Sequence, residues 1–307
     1  MRLSLIVLAM SLAHPAWANP CREQKGYFRR AIEFFTERKS PPTGASRASR
    51  APSPSNEPQL KIWEMMDQGR PSEAQALRTQ LETALKSEPV VAIEELGGGI
   101  TPSYIITLKN GMRAVYKPNA SDFANSKAEV AAYELSKILG LERVPVTTER
   151  IVESAPGSVQ FYLEQTMDGK MFHEILGRDF RELPLSERQN LMFFDFLTAN
   201  GDRNPGNYLI QKGANQSSRV VAIDHGRLFE YSGPLNSSQR LPTQVIPSRS
   251  LYDRLVGLDV SGFKAQMQKF MTSEQITAFL GRRDFLIRQI EKMRAQYGDA
   301  RVFPADK

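Results

Sequence analysis

Hydrophobic and polar positions change period several times along the chain, and each change marks an element boundary. Residues 22–38 repeat apolar side chains at helical spacing through Tyr27, Phe28, Ile32 and Phe35. The next stretch, 39–58, has no large apolar residue and is rich in Pro, Ser, Ala and Arg, so it reads as a disordered basic tether. Two helical patterns fill 59–89, parted by Gly69-Arg70-Pro71. At Val90 the period shortens to two, giving three strand-like runs up to Pro118. Asn110-Gly111 joins the last two as a hairpin turn. A helix over Asn125–Leu139 follows, with Ala128, Ala131, Ala132, Leu135, Ile138 and Leu139 inward, then strands over Val144–Val152 and Ser158–Thr166. After Asp168-Gly169 the chain turns helical through Leu191–Leu197. It gives short β runs at Tyr208–Ile210 and Val220–Ile223, a Pro/Ser-rich loop over Gly233–Ser250, and helices at 250–256, 261–271 and 273–297. Strands with one helix first and mostly helices afterwards predict an α+β fold of two lobes, 90–167 and 168–307, preceded by helices.

The first 18 residues, with Arg2, a short apolar run and Ala16-Trp17-Ala18, have the pattern of a cleavable signal peptide. The run is too short to span a bilayer, which predicts a protein exported to the periplasm or secreted. Forty basic and 34 acidic residues leave a net charge of +6, too small and too scattered to argue for nucleic acid. The basic tether leaves open a peripheral contact with an anionic membrane. With one cysteine, Cys21, no internal disulfide can form, so the fold must rest on its apolar core.

The chemistry concentrates between Leu197 and Phe229. Asn200-Gly201-Asp202-Arg203-Asn204-Pro205-Gly206-Asn207 follows a helix and precedes a β run, and Asp224 follows a second one. Asp202 and Asn207 are five apart, and Pro205-Gly206 between them forces a turn that can aim both side chains inward. A hard cation takes oxygen ligands, which Asn207 and Asp224 can supply beside nucleotide phosphates, leaving Asp202 to accept a proton. Upstream, Lys117 ends an otherwise apolar strand, where an ammonium must snorkel out or meet an anion. Glu129 in the first turns of the next helix is its natural partner, with Glu134 as the rival. Gly97, Gly98 and Gly99 lie between the first two strands, where backbone N–H groups can approach phosphates; a plain hairpin loop is the alternative. Glu164, Gln165, Thr166 and Met167 fall at the junction of the lobes, by order the place for adenine.

Helix, polar loop, hairpin and acid is the order in which kinase-like enzymes present their catalytic groups. Ala114-Val115-Tyr116-Lys117-Pro118, Glu129-Val130-Ala131-Ala132-Tyr133-Glu134-Leu135, Arg143-Val144-Pro145, Asp202-Arg203 and Asp224-His225-Gly226 together resemble the secretory-pathway kinases of the Four-jointed and Golgi casein kinase family. The likeness spans roughly residues 97–230. The chain departs from that family in having one cysteine. It also carries Asn204-Pro205-Gly206-Asn207, a loop similar to those of type II phosphatidylinositol 4-kinases and aminoglycoside phosphotransferases. The resemblance implies ATP with Mg²⁺ or Mn²⁺, Lys117 and Glu129 on the phosphates, Asp202 as base, and Asn207 and Asp224 on the metal. It also implies a hydroxyl of a protein or glycan as acceptor. A phosphoinositide-type lipid kinase and a nucleotide-binding pseudokinase or nucleotidyl transferase remain as alternatives.

Overall fold

In the computed structural model the described residues are 57–97, 102–119, 126–212, 218–229 and 248–303. The leader, the residue 19–38 helix, nearly all of the tether, Gly98, Gly99 and most of the 233–250 loop lie outside them. The first described helix, α1, spans Glu57–Asp67 and so starts inside the stretch assigned to the tether. Glu57 pairs with Lys61 one turn on, and a carboxylate in the first turn favours the positive end of the helix dipole. Gly69, at φ +70°, reverses the chain, and α2 (Pro71–Ser87) opens with a proline where no backbone donor is needed. Ile62, Trp63, Ala74, Leu81 and Leu85 form the buried faces of this pair.

Five antiparallel strands follow: β1 (Val90–Glu95), β2 (Tyr104–Leu108), β3 (Arg113–Pro118), β4 (Thr147–Val152) and β5 (Ala155–Phe161). Their order in the sheet is β1-β2-β3-β5-β4. The β2–β3 hairpin turns at Asn110-Gly111, with Gly111 at φ +83° and Asn110 Oδ1 accepting from the Met112 N–H at 3.0 Å. Helix α3 (Ser126–Ile138) lies between β3 and β4 in the chain and buries Ala128 through Tyr133 and Leu135. Ile138 is only half-buried, although the helical period pointed it inward.

The last hairpin of this lobe sits earlier than its apolar pattern suggests. Glu153 and Ser154 both have positive φ and make a two-residue turn, so β5 begins at Ala155 and ends at Phe161 rather than running over 158–166. Gly157 pairs with Pro118, and a Cβ there would lie 2.4 Å from the Lys117 carbonyl oxygen, so only glycine lets the strands meet. Tyr162–Thr166 is the connector. Met167 has already crossed: β6 (Met167–Asp168) pairs with β7 (Tyr208–Lys212), which pairs with β8 (Ser218–Ala222). The boundary placed after Met167 therefore moves to just before it, because the Met167 backbone pairs with Ile210.

The second lobe adds α4 (Gly169–Leu176), α5 (Leu185–Thr198), α6 (Arg249–Val256), α7 (Val260–Met267), α8 (Ser273–Tyr297) and α9 (Asp299–Val302). Leu191, Phe193, Phe194 and Leu197 of α5 are fully buried, and Ala199 at φ +50° stops the helix and starts the polar loop. Phe263 and Phe279 stack 4.9 Å apart where α7 meets α8. Among the described residues no helix is long and apolar enough to cross a membrane.

Candidate active site

Three elements bring charged groups together between the lobes. Lys117, on β3, places Nζ 2.6 Å from Glu129 Oε1 of α3 and 2.9 Å from Asp224 Oδ1 after β8. Glu129 is nearly fully buried, and its second oxygen lies 3.3 Å from Nδ1 of the buried His225. Burial alone would lower the ammonium's pKa. Glu129 and Asp224 outweigh it and hold Lys117 above the usual lysine range. Burial alone would raise the Glu129 carboxyl, yet Lys117 and the His225 hydrogen bond hold it well below the usual carboxylate range. Burial pushes His225 down, against the pull of Glu129, so its ring is neutral at neutral pH. Glu134 is not the partner: its carboxylate meets Lys137 and Gln266 instead.

Asp224 sits two residues past β8 at φ +56°, a region aspartate enters more readily than most residues. Its side chain is 52 % exposed, so it keeps oxygen capacity toward solvent. In the polar loop after α5, Asn204 caps a single 3₁₀ turn, Pro205–Asn207, by accepting from the Gly206 N–H at 2.8 Å. Asn207 is buried, and its amide nitrogen donates to the Asp202 carbonyl at 2.7 Å. That leaves Oδ1 as what Asn207 can offer a cation. Asp202 Oδ1 accepts from Asn204 Nδ2 at 3.2 Å, and its Oδ2 lies 3.9 Å from Arg227. Gly169 underpins this loop: a Cβ there would lie 2.2 Å from the Tyr208 ring and 2.7 Å from the Pro205 carbonyl oxygen.

The loop carrying Asn207 and the segment carrying Asp224 are joined. The Ile223 N–H donates to the Asn207 carbonyl at 3.2 Å, and Arg203 donates to the carbonyls of both Asn207 and Ile223. The donor set, one amide oxygen and one carboxylate with open capacity, fits a hard divalent cation that takes its other ligands from phosphates and water. It does not fit an all-protein metal cage, and among the described residues no three His, Cys, Asp or Glu side chains converge as one.

At the expected nucleotide edge, Gly97 has φ +67° and open space around it, and Leu96 continues the hairpin by donating to Ser103. Gly98 and Gly99 lie outside the described residues. In the connector, Glu164 bonds Arg113 at 2.6 Å and Thr166 is buried, donating to the Leu163 carbonyl at 3.3 Å, while Gln165 stands exposed at φ +53°. Met167 is fully buried and belongs to the second lobe's sheet. Sequence reasoning passed over Asp195, Arg203 and His225. The Asp202-Arg203 and Asp224-His225-Gly226 pairs were visible, but nothing local said that the second residue of each turns inward.

No family model and no curated protein matches the chain. Solved structures do. The Golgi casein kinase superposes with a TM-score of 0.62 at 16 % identity, covering 80 % of this chain and 85 % of that one. Its form with Mn/ADP bound gives 0.60 over the same shares. Fam20 of hydra, with sugar, gives 0.60 at 14 % identity over 74 % of this chain and 92 % of its own. The chain thus has a two-lobed kinase-like α+β fold, similar to that of these structures.

Proposed function

We propose that this protein is an ATP-dependent phosphotransferase that moves the γ-phosphate onto a hydroxyl of a protein or glycan, and that it does so after export. The observation that carries the reading is the meeting of Lys117, Glu129 and Asp224, from three separate elements, on a fold whose relative among solved structures has been seen with Mn/ADP. In this reading Lys117, oriented by Glu129, neutralises the nucleotide phosphates. Asn207 and Asp224 hold Mg²⁺ or Mn²⁺, which supplies charge neutralisation at the transferring phosphoryl group. Asp202 takes the acceptor hydroxyl's proton as its oxygen bonds the γ-phosphorus and the bond from that phosphorus to ADP breaks. Gly97, at its left-handed turn, approaches the phosphates, and Glu164 to Thr166 border the adenine through backbone groups.

Export rests on the leader pattern at residues 1–18.

The test is transfer from γ-labelled ATP with Mn²⁺ or Mg²⁺ to a panel of proteins, glycans and phosphoinositide vesicles, read by intact mass against Asp224→Ala. Phosphate gained by protein or glycan, lost in the variant, is the expected result. Phosphate on the vesicle lipid makes it a lipid kinase, nucleotide gained makes it a nucleotidyl transferase, and no transfer with any acceptor overturns the reading.

A further inference from the structure

One side chain ties together three parts of the site without being one of its proposed ligands. Arg203 lies in the polar loop directly after Asp202, where an arginine ordinarily points to water. Here it is 11 % exposed. Its Nε lies 3.2 and 3.1 Å from the two carboxylate oxygens of Asp195, and its Nη2 lies 3.0 Å from Oδ1. From the other edge of the same guanidinium, Nη1 donates to the Ile223 carbonyl at 2.8 Å and to the Asn207 carbonyl. Asp195 sits on the last turn of α5 and is itself fixed, since Asn200 donates to its carboxylate at 3.0 Å and to its backbone carbonyl at 2.9 Å.

The two carbonyls matter because of what they belong to. Asn207 is one proposed cation ligand, and Ile223 immediately precedes the other, Asp224. Those two strips of backbone meet directly through the Ile223 N–H, and the guanidinium is the second tie between them. We propose that Arg203, braced by Asp195, is a positioning residue that sets the separation of the two backbone segments bearing the cation's oxygen donors. The role rests on the phosphotransferase reading for the identity of those donors. The clasp needs a planar fork: donors on one edge grip a carboxylate while Nη1 reaches two carbonyls. A lysine has one nitrogen and cannot do both. Side chains that orient metal ligands from behind typically change metal affinity or activity by roughly 10- to 100-fold when altered.

The bland alternative is an ion pair that merely holds α5 to the loop. The two differ in what else moves. The full chain is compared with Arg203→Lys and with the isosteric Asp195→Asn, which keeps the shape if the lysine variant folds poorly. Three quantities are followed: thermal unfolding of the unliganded protein, hydrogen exchange at the Ile223 amide, and the Mn²⁺ concentration that half-saturates ADP binding measured by calorimetry. The clasp predicts faster exchange at Ile223 and a rise of roughly tenfold or more in half-saturating Mn²⁺, with ADP binding in chelator unchanged. Asp195→Asn moves in the same direction by less. Variants that lose thermal stability but keep wild-type Mn²⁺ dependence and Ile223 protection overturn the role. Wild-type protein that binds no ADP with Mn²⁺ overturns the functional reading itself, and the role with it.

Discussion

Two regions of this molecule are built from the same side chains and behave as opposites. Behind the first lobe, Arg78 of α2 reaches Glu142 at 2.8 Å with both side chains almost fully buried, and Arg143 reaches Glu187 at 2.6 Å. The Glu187 carboxylate also accepts the Val220 N–H, Gln59 accepts the Val146 N–H, and Glu82 accepts the Tyr133 hydroxyl. In the cleft, Lys117 divides itself between buried Glu129 and half-exposed Asp224. The rear carboxylates are enclosed and spent on the fold. In the cleft an acid keeps capacity turned to solvent, beside an amide oxygen and a lysine whose charge is fixed. Buried charge alone therefore does not mark a site; a charge network left open on one side does.

The largest test of that contrast is removal of Asp224 or Asp202. Each change to Ala is expected to lower kcat on the order of 10³-fold while moving the melting temperature little, read by transfer assay and thermal unfolding on the same sample. A variant that unfolds with its activity per folded molecule intact would break the comparison. Arg78→Ala should do the reverse. It strands Glu142 in a buried place, so stability should fall by about 3–5 kcal/mol in urea unfolding, with kcat of the folded fraction unchanged. Pairing the change with Glu142→Leu should restore most of the loss.

Acid sharpens the contrast further. His225 and Glu129 both titrate below their ordinary values in the folded protein. For each, the unfolded chain takes up protons first, so the stability they contribute is present above the ordinary value and lost as pH falls. His225 begins to weaken the fold below its ordinary value of 6.5, and Glu129 adds to the loss below 4.5. Lys117 is raised, so its contribution is complete below 10.5 and is lost as pH rises from there through the raised value. Unfolding free energy measured from pH 8 down to 3 should decline in those two stages, and His225→Phe should erase the earlier one. The smallest effect belongs to the rear surface. Asp67, 62 % exposed, pairs with Arg219, and Asp67→Asn should cost no more than about 1 kcal/mol.

Much of this was legible in the residues, for identifiable reasons. Asn110-Gly111 has one favourable backbone shape, and a lysine closing an apolar strand must snorkel out or meet an anion, so the hairpin could be anticipated and Glu129 named as a partner for Lys117 ahead of Glu134. The limits of β5 could not, because the apolar alternation runs on to Leu163 while the backbone is bonded into the sheet only as far as the Tyr162 N–H, which reaches the Arg113 carbonyl at 3.1 Å. The correct start depends on Glu153-Ser154, two ordinary polar residues that turn only because the sheet demands it. Arg78–Glu142 joins positions far apart in the chain, and Asp195 looks like any polar residue on a helix. What decides such contacts is tertiary, and no local pattern carries it.

Helix α1 touches both lobes: Gln59 meets Val146 behind the first sheet, while Trp63 and Asp67 meet Arg219 on β8 of the second. Cutting the chain at Val90, where the strands begin, would remove the partners of Val146, Glu142 and Arg219 at once. The two front helices therefore belong to the same packed unit as the strands and helices that follow, and whatever shuffles or fuses those later elements must carry both helices along.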